Sequence, residues 1–300
     1  MAPGGADAIT QRWLAEHLPA RDDRAHKGTF GRVLVVAGSL EYPGAAVLAG
    51  LGALRAGAGL VRVAAAEAVQ ARMAGSVPEL AWMVLDEEAA GLIGPGGWRA
   101  LTAESPAYDA VVVGPGLGRL PTTQRRTRSL ITTLGCPAVV DADGLNALAG
   151  GSRWWRDMHT ALVLTPHPGE FARLTGAAAP DARDDPGREA AASEAAVRWG
   201  QVVVLKGAHT VVAAPDGAVL RSTIATAALA TPGSGDVLAG AIGAFLAAGL
   251  APFAAAGCGV GIHAAAGLLA EERIGSSGAI AGDIARLLPE VRRLLSGPTR

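Results

Sequence analysis

The chain has 300 residues, 50% of them hydrophobic, with a mean hydropathy of +0.30 and a formal net charge of −1. This composition supports a sizeable buried core, and the balanced charge argues against nucleic-acid binding, which needs a basic face. Cys136 and Cys258 lack a C-x-x-C spacing, so they indicate a reduced, cytoplasmic protein and not a disulfide scaffold.

Residues 1–25 are predicted to form an N-terminal extension with no apolar targeting segment. Thr10 and the residues after it are typical of a capped amphipathic helix, which Pro19 ends. No later segment has the length and composition of a linker, so we predict a single domain over residues 1–300.

Short apolar runs alternate with helical segments after this extension. Such runs are typical of strands that helices bury on both faces, as in a parallel sheet. The alternation predicts a doubly wound α/β fold, with a mostly parallel central sheet flanked by helices on both faces. The predicted strands are residues 33–36, 60–63, 110–113, 138–140, 162–164 and 202–205, and a Gly/Ala-rich helix is predicted over 45–56.

The pattern changes after Lys206, where a predicted β-hairpin joins residues 209–214 to 218–221 through a turn at Asp216-Gly217. Residues 177–187 are predicted to be a polar loop, and the chain after the hairpin is predicted to be helical to its end. Residues 237–270 carry no charge if His263 is neutral, and they are long enough to span a bilayer by count. Pro252 divides them into two weakly apolar halves, which predicts two buried helices and no membrane span.

Glycine-rich or polar motifs follow the predicted strands, and ligands of open α/β sheets bind at such carboxyl ends. Taken singly, His167 is typical of a structural histidine, Lys206 of a solvated strand end, and Asp141 and Asp143 of helix caps. Their recurrence at successive strand ends favours a ligand site. The motifs are residues 37–45, 114–118, 141–146, 165–170, 206–210 and 233–236.

The last motif, Gly233-Ser234-Gly235-Asp236, opens directly into an apolar segment. Unpartnered N–H groups at a helix N-terminus attract phosphate, and glycine lets the phosphate approach them closely. A glycine turn that only caps a buried helix would have the same pattern. Asp236 would then act beside phosphate as an acid or base. Glu170 and Asp141 could hold Mg²⁺ directly or through water, and the absence of a Walker A motif argues against a P-loop NTPase.

As an ordered set, these motifs resemble the NAD(P)H-hydrate dehydratases of the ribokinase-like superfamily, over about residues 26–286. The resemblance implies a ribokinase-like fold and a repair reaction, in which the S epimer of NADHX or NADPHX loses water to restore NADH or NADPH. It also implies Mg²⁺ and a nucleotide co-substrate: bacterial members of this kind use ADP and release AMP and phosphate, whereas eukaryotic members use ATP.

The resemblance further implies the roles of individual residues. Asp236 would be the catalytic base that faces the substrate hydroxyl, and Glu170 the Mg²⁺-associated glutamate, acting through water. The remaining assignments are Ala45, Gly116, His167 and Asp236 for the hydrated cofactor, Lys206, Gly207, Ala208, His209, Thr210 and Gly235 for the adenine nucleotide, and Gly233, Ser234 and Gly235 for the anion hole.

Many bacterial members carry a fused epimerase domain, and about 25 residues precede the first motif here, so we expect the chain to depend on a separate epimerase. Relatives are often tetramers, which implies a homo-oligomer. Two alternatives stay open. An ATP-dependent small-molecule kinase of the thiazole or pyrimidine alcohol type shares the glycine–aspartate motif. A nucleotide-binding module without catalysis would have no need of Asp236.

Overall fold

The computed structural model describes residues 6–21 and 24–295, which form twelve β-strands and eleven α-helices. The strands are β1 (Asp7–Ile9), β2 (Arg32–Val36), β3 (Leu60–Ala66), β4 (Ala81–Leu85), β5 (Glu87–Ala89), β6 (Leu92–Ile93), β7 (Ala110–Val113), β8 (Ala138–Val140), β9 (Leu162–Leu164), β10 (Val202–Leu205), β11 (Val211–Ala213) and β12 (Val219–Ser222). The helices are α1 (Gln11–His17), α2 (Pro43–Ala56), α3 (Glu67–Met73), α4 (Pro95–Glu104), α5 (Pro121–Thr133), α6 (Asp143–Ala149), α7 (Pro168–Thr175), α8 (Asp185–Trp199), α9 (Ser234–Ala247), α10 (Pro252–Arg273) and α11 (Ala281–Leu295).

Ten of the strands form one sheet in the order β1-β12-β11-β10-β9-β8-β7-β2-β3-β4. The seven strands from β10 to β4 are parallel, β11 is antiparallel to both of its neighbours, and β1 pairs in parallel with β12. Strands β5 and β6 form a separate small hairpin. The predicted mostly parallel sheet is confirmed.

Alternate residues of each central strand pack against different helical layers. On β2, Val33 and Val35 belong to a core with α2, α9, α10 and α11, whereas Leu34 and Val36 belong to a core with α4 to α8. The side chains of a strand point to opposite faces in turn, so a fully apolar strand needs cover on both sides. The predicted helical cover on both faces is therefore confirmed.

Small residues let α2 and α9 approach closely on the first of these faces. A Cβ atom at Gly240 would overlap the carbonyl oxygen of Ala49, and one at Gly52 would overlap the carbonyl oxygen of Val237. Only glycine avoids these overlaps, because it lacks a Cβ atom. The close contact fixes the N-terminal end of α9 above the carboxyl edge of the sheet.

Most of the predicted elements are confirmed, including the six apolar strands, the hairpin of β11 and β12, and α1 with its Thr10 cap. Helices α9 and α10 confirm the division at Pro252. Helix α10 is long and apolar enough to cross a membrane, but 72% of its apolar window is buried inside the protein.

The structure differs from the sequence prediction at several elements. Strands β1, β4, β5 and β6 were not predicted. Strands β1, β5 and β6 are only two or three residues long, and β4 is an apolar run that lies at the edge of the sheet and is only partly buried. The predicted loop 177–187 was wrong at its end, since α8 begins at Asp185, with Asp184 capping it by accepting from the Gly187 N–H. Residues 1–5 and 22–23 of the predicted extension and residues 296–300 lie outside the described residues.

Candidate active site

The carboxyl edge of the sheet contains a topological switch between β2 and β7. Strands β3 and β4 continue the sheet on one side of this point, and β8, β9 and β10 continue it on the other. The loops that leave the two central strands meet there, where the Gly38 N–H donates to the Pro115 carbonyl oxygen at 2.8 Å. Ligands of open α/β sheets bind in the crevice at such a point.

The two predicted substrate-binding positions nearest the switch, Ala45 and Gly116, are neighbours. Gly116 has a φ of +63°, and a Cβ atom there would lie 2.8 Å from the Cβ atoms of both Ala45 and Tyr42. Both the backbone conformation and the available space therefore require glycine. The resulting surface exposes backbone at Gly116 beside the half-exposed Tyr42 ring, which suits close approach of a flat ligand.

A buried charged cluster lies beyond this surface, at the ends of β8, β9 and β10. Lys206 Nζ donates to Asp141 Oδ1 at 2.8 Å and lies 3.8 Å from Glu170 Oε2. Thr165 Oγ1 also donates to Asp141 Oδ1, at 2.7 Å. Burial opposes the charge of Lys206, but Asp141 and Glu170 raise the pKa of Lys206 above its ordinary value. Lys206 is therefore a firmly charged cation.

His167 and Glu170 form a reciprocal cap at the start of α7. The His167 N–H donates to Glu170 Oε2 at 2.8 Å, and His167 Nδ1 accepts from the Gly169 N–H at 3.0 Å. Since Nδ1 accepts, the hydrogen of the neutral ring is on Nε2, which lies 3.4 Å from Glu170 Oε1. Burial, followed by the charge of Lys206, lowers the pKa of His167, so this neutral form prevails near pH 7.

The N-terminal end of α9 has the features of an anion site. Gly233 has a φ of +86°, and a Cβ atom there would overlap the Leu48 side chain. The Ser234 N–H donates to the Thr231 carbonyl oxygen at 3.3 Å. Within residues 24–295, the N–H groups of Gly235 and Asp236 make no hydrogen bond. Of the predicted trio Gly233, Ser234 and Gly235, it is thus Ser234 whose N–H already donates to another described residue.

Asp236 lies in the first turn of α9 and is influenced by the charged cluster. Burial, together with the charges of Asp141, Glu170 and Asp143, raises the pKa of Asp236 to about 7, although Lys206 opposes the shift. We call Asp141, Glu170, Lys206 and Asp236 the front cluster. A carboxyl group with a pKa near 7 can both accept and release a proton at physiological pH, as a general base requires.

A cavity of about 570 Å³ adjoins the front cluster. It is lined by Lys206, Gly207, Ala208 and Thr210 from the loop after β10, by Ser234, Gly235 and Leu238 of α9, by His263 of α10 and by residues between Ala225 and Ala230. A Cβ atom at Gly235 would lie 3.3 Å from Lys206 Nζ. The cavity therefore joins an apolar wall to a lysine and a helix N-terminus, a combination that suits a nucleotide.

His209 is the predicted nucleotide-binding residue that does not line this cavity. Its Nδ1 atom lies 2.8 Å from Asp185 Oδ2, on the far side of the loop. Arg188 donates to the carbonyl oxygens of His209 and Leu205 and lies 3.3 Å from Asp185 Oδ1. A Cβ atom at Gly207 would overlap the Arg188 guanidinium. The side chain of His209 therefore supports the loop and does not face the cavity.

The residues behind the loop form a second charged group, which we call the rear cluster: Asp185, Arg188, Glu189, His209 and Arg221. Arg221 NH1 lies 3.2 Å from both Asp185 Oδ2 and Glu189 Oε1. Burial opposes ionisation of Asp185, but His209, Arg221 and Arg188 lower its pKa below the ordinary value. Arg188 is 1% exposed, so it holds the loop from inside the protein.

The donor groups present suit a Mg²⁺ ion that is held through water and phosphate. Within the described part of the chain, no three His, Cys, Asp or Glu side chains converge as a metal site. Both oxygens of Glu170 already face His167, and Asp141 accepts from Lys206 and Thr165. Mg²⁺ commonly keeps several waters and uses one or two carboxylates plus substrate phosphates. Water-mediated binding by Glu170 fits this arrangement.

Sequence reasoning missed three residues of the site. Arg188 and Asp185 lie in α8, whose start was predicted as loop, and His263 was noted only as neutral within an apolar stretch. Lys206, which was predicted, has a further signal in the sequence: it and Lys27 are the only two lysines, and arginine supplies the other basic side chains. A compact lysine charge at a strand end, in a chain that otherwise uses arginine, indicates a specific role.

Comparisons with known proteins agree with this geometry. A family profile described as NAD(P)H-hydrate dehydratase matches residues 33–290. The ADP-dependent (S)-NAD(P)H-hydrate dehydratase of Xanthomonas campestris is 40% identical, over 92% of this chain and 92% of its own length. The bifunctional NAD(P)H-hydrate repair enzyme of Moorella thermoacetica is 42% identical over 96% of this chain. The chain spans about half the length of such bifunctional relatives, 54% in that case.

Comparison with solved structures also matches this chain to an NAD(P)H-hydrate dehydratase. The ADP/ATP-dependent NAD(P)H-hydrate dehydratase of Bacillus subtilis, co-crystallized with ATP and Mg²⁺, superposes with a TM-score of 0.83. It is 32% identical, and the match covers 97% of this chain and 99% of that one. A ribokinase-like superfamily protein of Enterococcus faecalis has a TM-score of 0.82 at 22% identity, which shows a shared fold. The predicted ribokinase-like fold is confirmed.

Proposed function

The chain belongs to the NAD(P)H-hydrate dehydratase family, and we propose that it removes water from the S epimer of NADHX and NADPHX in a reaction driven by ADP. The observation that carries this proposal is the position of Asp236, a carboxyl group with a pKa of about 7, next to the free N–H groups of α9. Beside them lies a cavity suited to a nucleotide. The names of the Xanthomonas and Bacillus relatives support the choice of substrates.

The proposed reaction begins with proton transfer to Asp236. As Asp236 takes the proton of the substrate hydroxyl, the hydroxyl oxygen attacks the β-phosphoryl group of ADP, and AMP leaves. The phosphorylated hydrate then loses phosphate, and a proton from the neighbouring ring carbon, to form the double bond of the dihydronicotinamide. The ring-carbon proton and the proton held by Asp236 pass to phosphate and solvent, so the sum is NADHX plus ADP giving NADH, AMP, phosphate and one proton. Phosphorylation is needed because hydroxide is a poor leaving group.

The free N–H groups of Gly235 and Asp236 would stabilise the phosphoryl group during transfer, since donors fixed in advance act most strongly where negative charge develops. We assign the anion hole to residues 233–236 on this basis. Lys206, Gly207, Ala208, Thr210 and Gly235 would hold the nucleotide, and the backbone of His209 would complete their loop.

On the other side of Asp236, we assign Ala45, Gly116 and His167 to the hydrated cofactor. Ala45 and Gly116 would provide a surface that a ligand can approach closely, and His167 would contribute its ring, whose Nε2 atom lies 3.4 Å from Glu170 Oε1. Glu170 would hold Mg²⁺ through water, and when bound the ion would neutralise phosphate charge. The substrate hydroxyl would then meet the phosphoryl group at Asp236.

A direct assay tests the proposal. We would add the protein, Mg²⁺ and ADP to a mixture of NADHX epimers and follow absorbance at 340 nm, with ATP in a parallel sample. A rise with ADP that stops when the S epimer is exhausted would support both the reaction and the need for a separate epimerase. A stable phosphorylated product, with no rise at 340 nm, would contradict it and indicate a small-molecule kinase.

We also propose a single-domain, cytoplasmic homo-oligomer, with a tetramer as the expected state. The single sheet that runs from β1 to β4 supports one domain, and the two free cysteines, Cys136 and Cys258, fit a reducing compartment. Ile280 and Leu294, each 59% exposed, are candidates for subunit contacts. Light scattering coupled to gel filtration measures the assembly, and a monomeric mass would contradict the tetramer.

A further inference from the structure

His263 is a buried histidine that contacts the N-terminal residue of α9 and has no role in the reaction described above. It lies on α10 and is 6% exposed. Its Nε2 atom is 3.0 Å from the carbonyl oxygen of Ser234 and 3.1 Å from Ser234 Oγ. One ring nitrogen therefore faces both oxygen atoms of the same serine.

The position of the ring hydrogen follows from these contacts. Burial lowers the pKa of His263 to about 4, so the ring is neutral near pH 7 and carries one N–H group. A carbonyl oxygen can only accept a hydrogen bond, so the hydrogen must be on Nε2. With that hydrogen in place, Nε2 cannot accept a hydrogen bond from the Ser234 hydroxyl.

The hydroxyl hydrogen of Ser234 is consequently available for another acceptor. Its oxygen is held by His263, and within residues 24–295 it makes no other hydrogen bond. The Ser234 N–H is already used by the Thr231 carbonyl oxygen. Ser234 also lines the cavity, beside Gly235 and Lys206. The group that Ser234 can offer to an anion is thus its O–H, and not its backbone N–H.

We propose that His263 is a positioning residue, which holds the Ser234 oxygen so that the Ser234 hydroxyl donates to the phosphoryl group being transferred. This inference rests on the proposed function and extends the anion hole from two backbone donors to a third, side-chain donor. His263 touches neither the nucleotide phosphates nor the substrate in this scheme, and it acts only through Ser234.

Three variants separate this role from a packing role. Ser234→Ala removes the donor, and we expect kcat to fall roughly 100-fold, as for other preorganised donors to a developing anion. His263→Leu removes the group that orients the donor, and we expect kcat to fall about tenfold with little change in the KM for NADHX. His263→Gln keeps an N–H group at similar reach, and we expect it to stay within about threefold of wild type.

The double variant gives the sharpest test. If the two residues act as one unit, Ser234→Ala with His263→Leu should be no slower than Ser234→Ala alone, within about threefold. Effects that instead multiply would overturn the proposal, since they would show that His263 acts independently of Ser234. Cys258→Ala is the matched control for packing on α10, and Ser222→Ala is the control for loss of a buried hydroxyl; both should retain wild-type kcat.

A binding measurement keeps this test separate from the proposed function. Calorimetric titration with Mg²⁺ and ADP requires no hydrated cofactor, and we expect Ser234→Ala to weaken ADP binding about tenfold. Weakened binding in a protein that fails to dehydrate NADHX would contradict the proposed function and leave the Ser234 donor supported. Unchanged ADP affinity and unchanged kcat in folded Ser234→Ala would show that the Ser234 hydroxyl does not donate to the phosphoryl group. The proposed positioning role of His263 would then be wrong as well.

Discussion

Two charged groups lie on opposite sides of the loop formed by residues 206–210, and they differ in charge balance. In the front cluster, Lys206 faces three carboxyl groups, and the pKa of Asp236 is raised to about 7 by burial and by its acidic neighbours. In the rear cluster, Asp185 and Glu189 face Arg188, Arg221 and His209, and the pKa of Asp185 is lowered.

The difference shows how a loop can be held in one conformation on one side while its other side faces a reactive carboxyl group. Balanced charges in the rear cluster stabilise each other and hold the loop in one conformation. Burial, together with excess negative charge in the front cluster, disfavours ionisation of Asp236, so its proton is exchangeable near neutral pH. We infer that the rear cluster has a structural role and the front cluster a catalytic one, and four experiments test this division.

The largest effect is expected in the front cluster, from Asp236→Asn. The amide cannot take the proton of the substrate hydroxyl, so kcat should fall at least about 100-fold while the fold is retained. Steady-state rates at 340 nm and circular dichroism measure the two properties. Asp216→Asn, in the exposed hairpin turn, is the matched control and should keep full activity. Wild-type turnover in Asp236→Asn would show that Asp236 is not the catalytic base.

In the rear cluster, Arg188→Met should act mainly on stability. It leaves Asp185 with one fewer cation and removes the donor to the carbonyl oxygens of Leu205 and His209. Loss of one partner from a buried charged network costs about 3–5 kcal/mol of the free energy of unfolding. Urea unfolding measures this cost. Arg221→Met, at a site that is 38% exposed, is the control and should cost about 1 kcal/mol or less.

An effect of Arg188→Met on kcat with no loss of stability would contradict the structural role of the rear cluster. We expect the opposite pattern. The ADP KM should rise, because the loop that carries Lys206 is less well fixed, while kcat at saturating ADP should stay near the wild-type value.

The two clusters also differ in how far the sequence could predict them. The front cluster follows apolar strands, and parallel strands bring their carboxyl ends to one edge, so Asp141, Glu170, Lys206 and Asp236 were predicted to lie together. The rear cluster depends on α8, a helix whose polar start resembled a loop. Its contacts join Arg188 to His209 across 21 residues of sequence, and no local pattern marks such a pairing.

The backbone N–H donors at the start of α9 were also only partly predictable from the sequence. The sequence predicted an anion hole at Gly233, Ser234 and Gly235, but the Ser234 N–H donates to Thr231 in the structure. The direction in which a single N–H group points depends on the local turn, here set by the positive φ of Gly233. Residue type and spacing do not determine that turn.

A third experiment uses pH to compare the stability of Asp236→Asn with that of wild type. The folded-state pKa of Asp236 is about 7, above the ordinary value of 3.8, so the native protein holds a proton that the unfolded chain releases. Wild type should therefore lose stability as the pH rises from about 4 to about 7, whereas asparagine does not ionise.

Relative to wild type, Asp236→Asn should gain about 2–3 kcal/mol in free energy of unfolding between pH 5 and pH 8. Urea unfolding at both pH values measures the gain, with Asp216→Asn as the control that should show none. The same difference at both pH values would mean that the pKa of Asp236 is close to its ordinary value and that the front cluster is not strained by excess negative charge.

The smallest effect is expected from Lys206→Ala, which removes the cation of the front cluster. Lys206 lines the cavity, so its loss should raise the ADP KM about tenfold, as expected for one charged contact with phosphate. Lys27→Ala is the matched control, because Lys27 is the other lysine of the chain and lies in an exposed turn. An unchanged ADP KM in Lys206→Ala would argue against the assigned nucleotide site.

The same variant should also change the pH dependence, which distinguishes lost binding from altered catalysis. Lys206 lowers the pKa of Asp236, so without it Asp236 should ionise only at higher pH. In the pH profile of kcat/KM, which reports the free enzyme, the midpoint of the acid limb should therefore move upward from about 7 in wild type. Because the shift requires Asp236 to be the titrating base and Lys206 to be its neighbour, an unmoved midpoint would show that the front cluster does not act as one electrostatic unit.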